Sequence, residues 1–226
     1  MAVLSYQLGT LSARPRIPFM GGTMTAEALP DSLHRQPDGS RWPVPPTDGY
    51  TVDDLFALHD LPPHTELIDG SLVFVSPQRK FHTLAMYLLE QGLRSHVPED
   101  LRVRREMAVV LGKRNAPEPD LVVVTAEADG DQLQTRYQAS DVLLAVEVVS
   151  PDSEARDRDT KPHKYAGAGI QNFWLVEMSA NGRPAVWTYA LDPVNKKYVS
   201  TGVHHDRLKL SVPYDIDIDL TAIDRL

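Results

Sequence analysis

Val142-Leu143-Leu144-Ala145-Val146-Glu147-Val148-Val149-Ser150-Pro151 contains the most apolar stretch of the chain, with one carboxylate inside it. A short continuous apolar run rich in valine reads as a β-strand covered on both faces, and Pro151 ends it. Side chains alternate along a strand, so Glu147 shares a face with Leu143, Ala145 and Val149. A buried, unpaired carboxylate there costs roughly several kcal/mol, so something must compensate it. Either the residue sits at an exposed strand end, or it pairs with one buried Arg or Lys, or its carboxylate serves a chemistry.

The neighbouring sequence supplies a fold around this strand. Leu121-Val122-Val123-Val124 is a second short apolar strand, opened by Pro119-Asp120. Upstream, Thr51 and Asp54 have capping-box spacing ahead of Val52, Leu55, Phe56 and Leu58, which predicts a short helix. Asp69-Gly70 between the apolar runs Thr65–Ile68 and Ser71–Val75 predicts a type I′ hairpin. Phe81, Leu84, Leu88, Leu89 and Leu93 recur at helical spacing, so residues 81–96 read as a helix ended by Pro98. Leu101–Leu111 has a β pattern, and Lys113 to Pro119 reads as a loop. Beyond the central strand come a helix at Pro162–Ala168 and a strand at Asn172–Glu177. A second hairpin at 185–190 and 197–203 turns around Asp192-Pro193, and an alternating tail spans Tyr214–Leu220. The fold class is α/β (α+β), a central mixed β-sheet flanked by helices. Residues 1–48, with seven prolines and no sustained period, read as a disordered leader before a single domain over 49–226.

Composition narrows the function classes. Of 226 residues, 42% are hydrophobic and 24% charged, enough for a core without a staple. Cysteine is absent, which excludes disulfides, thiolate metal sites and cysteine nucleophiles. The net charge of −8 argues against a general nucleic-acid coat, because sequence-independent affinity comes from neutralising phosphates. No run approaches a membrane span, and the first two dozen residues lack the features of a signal peptide. The expected location is cytoplasmic, without a membrane partner.

Two strand-borne carboxylates, Asp120 and Glu147, form a rigid oxygen platform of the kind Mg²⁺ or Mn²⁺ takes. Lys161 stands before Pro162 at the start of a helix, where an ammonium facing the strand ends could orient a water or stabilise phosphate charge. Other candidates are weaker. Asp215–Leu220 opens like a calcium loop, but Leu220 replaces the required glycine. His204-His205 has no third ligand at metal spacing, and Trp174, Trp187 and Tyr189 read as packing. Arg102, Arg104, Arg105, Lys113 and Arg114 form either a phosphate-contacting ridge or a charged edge strand.

Glu66-Leu67-Ile68-Asp69-Gly70-Ser71-Leu72-Val73, Ser76-Pro77, His82, Pro119-Asp120, Glu147-Val148-Val149-Ser150-Pro151, Asp157, Lys161, Tyr165, Gly169-Ile170 and Phe173-Trp174-Leu175-Val176 follow one another in a familiar order. The ordered set, over roughly residues 50–190, resembles the Uma-type family of restriction endonuclease-like proteins, a branch of the PD-(D/E)XK nuclease superfamily. The resemblance implies a restriction-endonuclease-like core, Mg²⁺ (or Mn²⁺) dependence and hydrolysis of DNA phosphodiesters. It implies Asp120 and Glu147 as metal ligands with the Val148 carbonyl as third, and Glu66 as an acid acting on the metal through water. Lys161 matches the family's lysine. The superfamily's usual lysine position, two after Glu147, is Val149 here, and Lys164 lies close enough to compete. Asp157 and Tyr165 are implied as supporting residues. Cutting both strands of a duplex is simplest with two sites on a two-fold axis, so a homodimer is expected. Two alternatives stand beside the nuclease. One is a catalytically silent nuclease-fold module binding nucleic acid or protein, and the other is a structural domain whose carboxylates pair with Arg156 or Arg158.

Overall fold

A computed structural model describes residues 45–226, so most of the leader expected over 1–48 lies outside the described residues. Thr51 caps the first helix, α1 (Val52–Ala57), with the reciprocal Thr51–Asp54 bonds of a capping box. A hairpin of β1 (Glu66–Ile68) and β2 (Ser71–Val73) follows. Its turn residues Asp69 and Gly70 take φ of 50° and 79°, as the type I′ reading requires. Helix α2 (Lys80–His96) then precedes β3 (Leu101–Arg105), β4 (Ala108–Val110) and β5 (Leu121–Thr125). After β6 (Arg136–Gln138) comes the central strand, β7 (Val142–Val148), then α3 (Lys161–Ala168). The chain closes with β8 (Asn172–Met178), β9 (Pro184–Asp192), β10 (Lys197–His204), β11 (Arg207–Leu210) and β12 (Ile216–Asp219).

Six strands form one mixed sheet in the order β10-β9-β8-β7-β5-β3. β7 and β8 run parallel and the other neighbours antiparallel. A parallel pair needs a crossover, and the helical segment ending in α3 supplies it. The alternation of β7 divides two cores. Leu144, Val146 and Val148 pack with α2 residues Ala85, Leu89 and Leu93 and with Ile216 and Ile218 of β12. Ala145 packs on the opposite face, with Tyr165, Ile170 and Phe173. A smaller cluster of Tyr50, Val52, Leu55, Leu67 and Ala116 ties α1 and the first hairpin together.

The structure departs from the sequence reading in three places. Leu101–Leu111 is not one strand: Glu106 takes a φ of 52°, which breaks the ladder, and β4 pairs instead with β6. β6 and β11 were not anticipated, being three and four residues long, too short for a pattern to emerge. The helix expected from Pro162 begins at Glu154 and passes through a π-helical turn over Arg156–Thr160 before α3. In that turn the Lys161 N–H reaches back to the Arg156 carbonyl. Proline inside a helix offers no N–H and crowds the carbonyl four residues back, so a wider turn before Pro162 removes the conflict.

Candidate functional site

The site is built where β5 begins and β7 ends. Leu121 lies opposite Val146 across the antiparallel pair, which brings Asp120 beside the last residues of β7. Asp120 Oδ2 accepts the Val148 N–H at 2.6 Å, and its Oδ1 lies 2.9 Å from His82 Nε2 of α2. The N–H and C=O of one strand residue point to the same side, so the Val148 carbonyl faces Asp120 too. The Val149 N–H, by contrast, bonds to Val176 of β8.

Glu147 is only 2% exposed, yet both of its oxygens are engaged. The Lys161 ammonium donates to Oε2 at 3.0 Å and the Tyr165 hydroxyl to Oε1 at 2.5 Å. Lys161, itself buried, also lies 2.8 Å from Glu66 Oε1 and 3.4 Å from Asp157 Oδ1. Asp157, Lys161 and Tyr165 are spaced four apart, so a helix stacks them on one face toward the sheet. Glu66 arrives from β1, which the Leu67–Ala116 bridge holds against the loop before β5. Its Oε1 also accepts the Glu118 N–H at 2.9 Å.

Several buried carboxylates around one ammonium set the electrostatics. Burial pushes the Glu147 carboxyl well above the usual range, against the opposing pull of Lys161. Asp157 is raised for the same reason. Burial draws Lys161 down, but Glu147, Glu66 and Asp157 outweigh it, and the ammonium is held well above its ordinary value. Tyr165 is driven up by burial and by Glu147, so its phenol stays protonated as a donor.

Glu66, His82, Asp120, Glu147, Asp157 and Lys161 line a cavity of about 410 Å³ that also includes His64, Glu106, Glu118, Ser153 and Arg156. Its donors are oxygens, the kind hard divalent cations take. Asp120 and Glu147 each use two of roughly four carboxylate lone-pair positions on the hydrogen bonds above, leaving lone pairs for a cation. Asp157 Oδ1 is buried with no hydrogen bond and only the 3.4 Å ion pair to Lys161. Mg²⁺ or Mn²⁺ therefore fits the donor set in kind. Among the described residues no group of three or more His, Asp or Glu is already gathered around one point for an ion. Lys161 stands between Glu66, Glu147 and Asp157 instead.

The structure thus brings Glu66, Asp120, Glu147, Val148 and Lys161 into one place. It separates Lys164, which pairs with Asp69 Oδ1 at 2.6 Å at the rim of the first hairpin. Arg156 and Arg158 do not compensate Glu147: Arg158 pairs with Glu154 and Glu177, and among the described residues Arg156 has no ion-pair partner. The basic ridge is partly neutralised, because Arg102 and Arg104 on edge strand β3 face Asp129. Asp217 of β12 pairs with Arg207 while Ile216 and Ile218 are buried, the half-buried strand read from the sequence. Sequence reasoning missed the bond of His82 to Asp120 and the pairing of His64 Nδ1 with Glu118 Oε1 at 2.5 Å. Each partner is distant in sequence, so spacing carries no signal for them.

Over residues 52–222 the chain matches the Uma2 family, described as "Putative restriction endonuclease". Among solved structures it resembles a crystal structure described as "a putative nuclease belonging to DUF820 from Anabaena variabilis", with a TM-score of 0.57 and 17% identity. That likeness covers 72% of this chain and 89% of the other, and it speaks for a shared fold. No curated protein matches the chain.

Proposed function

The chain belongs to the Uma2 family, and from that premise we propose that it is a divalent-metal-dependent nuclease hydrolysing phosphodiester bonds of DNA. The observation that carries the reading is the buried Lys161 ammonium held against Glu147 and Glu66 in a cavity that also takes in Asp120. Asp120, Glu147 and the Val148 carbonyl would hold Mg²⁺ or Mn²⁺, with Glu66 near enough to act through water. When bound, such an ion supplies charge neutralisation at the phosphate and a more acidic water.

The protein's own groups do the rest. The Tyr165 hydroxyl and Lys161 fix the Glu147 carboxylate, and His82 with the Val148 N–H fixes Asp120. Hydrogen bonds of this kind orient oxygen ligands toward a cation. Lys161 keeps its proton because of the carboxylates around it, so it brings positive charge to the attacking water and the phosphate oxygens. We further propose that two copies act together on a duplex.

Cleavage of plasmid, linear, single-stranded DNA and RNA with Mg²⁺ or Mn²⁺ tests the reading. Asp120→Ala and Glu147→Ala should each lose Mn²⁺ binding by calorimetry and cleavage together. Retention of metal-dependent cleavage in either variant overturns the site. A second reading, a silent nuclease-fold binding module, draws on the fact that both oxygens of Asp120 and of Glu147 already have protein partners. Nucleic-acid binding by the wild type without Mn²⁺ uptake or cleavage would favour it.

A further inference from the structure

Arg156 lines the same cavity and is the exception among its basic groups. Lys161 is taken by Glu66, Glu147 and Asp157, His82 by Asp120, and His64 by Glu118. Arg156 Nε is buried and, among the described residues, has no hydrogen-bond partner, and no carboxylate forms an ion pair with its guanidinium. A desolvated N–H without an acceptor is unfavourable. It is the more unexpected here because six carboxylates line the cavity: Glu66, Glu106, Glu118, Asp120, Glu147 and Asp157.

The reason lies in the helix. Arg156 opens the π-helical turn that also carries Asp157. The next residue, Asp157, is held inward by Ser153 and faces Lys161, so the neighbouring position on the turn points elsewhere along the cavity wall. Arg158 leaves on another side and is consumed by Glu154 and Glu177.

We propose that Arg156 is a substrate-binding residue whose guanidinium grips a phosphate of the nucleic-acid strand lying in this cavity. The planar fork donates two parallel bonds to phosphate oxygens, which a lone N–H or a lysine cannot match. An acidic cavity gains from a cation that none of its carboxylates has claimed, and with Lys161 shared among three of them at the proposed reacting centre, Arg156 is left to hold the strand. The inference rests on the nuclease reading and adds to it the residue that holds the strand.

The test measures binding of a 20-bp DNA duplex and an RNA duplex of the same sequence, without cleavage in Ca²⁺, over about 50 to 200 mM salt. Arg156→Gln should weaken binding about 10- to 100-fold and lower the slope of log affinity against log salt by about 0.9, the loss of one phosphate contact. Arg156→Lys keeps the charge, so it should retain the slope and lose several-fold in affinity. Arg158→Gln removes the same charge outside the cavity and should bind as the wild type does. Wild-type affinity and slope in Arg156→Gln overturn the assignment and leave the nuclease reading standing. Should Arg156→Gln fail to fold, undiminished affinity in Arg156→Lys overturns it instead. Failure of the wild type to bind either duplex overturns the assignment of Arg156 as a duplex-phosphate contact, while the nuclease reading stands or falls by the cleavage assay.

Discussion

Glu147 and Lys161 depend on each other, because neither charge has water to fall back on. Removing one partner of a buried pair leaves the other uncompensated, at a cost of about 3–5 kcal/mol. Lys161→Met should therefore lower stability by about that amount and cut cleavage by roughly 10²-fold or more. Adding Glu147→Gln should restore much of the stability and none of the activity, as followed by urea denaturation and cleavage rate. Lys164→Ala breaks only its pair with the exposed Asp69 and should cost under about 1 kcal/mol. A Lys161→Met protein as stable as the wild type would refute the buried network. Away from the site, burial pushes the Asp129 carboxyl up, but the Tyr137 hydroxyl and the Arg104 guanidinium prevail and hold it below the ordinary 3.8. A depressed carboxyl contributes stability above its unfolded value and loses it as pH falls through the folded one. Asp129→Asn should therefore melt lower than wild type at pH 7, with the gap closing in acid below 3.8. Tyr137, pushed up to about 12 by burial and Asp129, should titrate closer to 10.0 in that variant by ultraviolet absorbance.

At the scale of elements, α2 and β12 approach more closely than helix propensity alone would choose. A Cβ built on Gly92 would meet Ile218 Cδ1 and Cγ1 at 2.5 Å, and Ile218 is itself buried. Alanine is favoured over glycine inside a helix by about 1 kcal/mol, yet forcing a methyl into a filled core costs about 1–3 kcal/mol. Gly92→Ala should therefore destabilise the protein, and pairing it with Ile218→Val should recover part of the loss in thermal denaturation. A stabilised Gly92→Ala would mean that this contact has room to give. The helix from Glu154 through α3 shows a comparable trade. Its π turn gives up regular bonding ahead of Pro162, and the same segment presents Arg156, Asp157 and Lys161 to one cavity.

For the whole molecule, we propose that the folding unit begins near Gly49. Tyr50, Val52 and Leu55 are buried with Leu67 and Ala116, and the Tyr50 N–H bonds to the Gly70 carbonyl. We propose that residues 1–48 are dispensable for folding. A chain starting at Gly49 should melt within a few degrees of the full chain, whereas one starting at Asp60 loses α1 and should melt clearly lower. A large drop for the first truncation would show that the leader packs on the domain. If two copies cut a duplex together, sedimentation at micromolar concentration should give twice the chain mass, and the mass of a single chain would count against the dimer. No helix among the described residues is long and apolar enough to cross a membrane.

Local chemistry made much of this legible in the chain. The Asp69-Gly70 turn, the Thr51 capping box, α2 and the buried central strand each follow from interactions within a few residues, which periodicity and turn residues encode directly. The predicament of Glu147 was equally plain, since an acid in an apolar strand demands a partner. Which partner it takes depends on contacts between positions far apart: Lys161 after a crossover, Tyr165 one turn later, and Glu66 from a hairpin beyond the loop before β5. Lys161 and Lys164 are three apart on one helix, and only the packing of that helix gives Lys161 to Glu147 and Lys164 to Asp69. His82 on Asp120 and the uncommitted Arg156 belong to the same class. A side chain's partner, or its lack of one, is settled by packing in three dimensions, where residues distant along the chain compete for the same few ångströms.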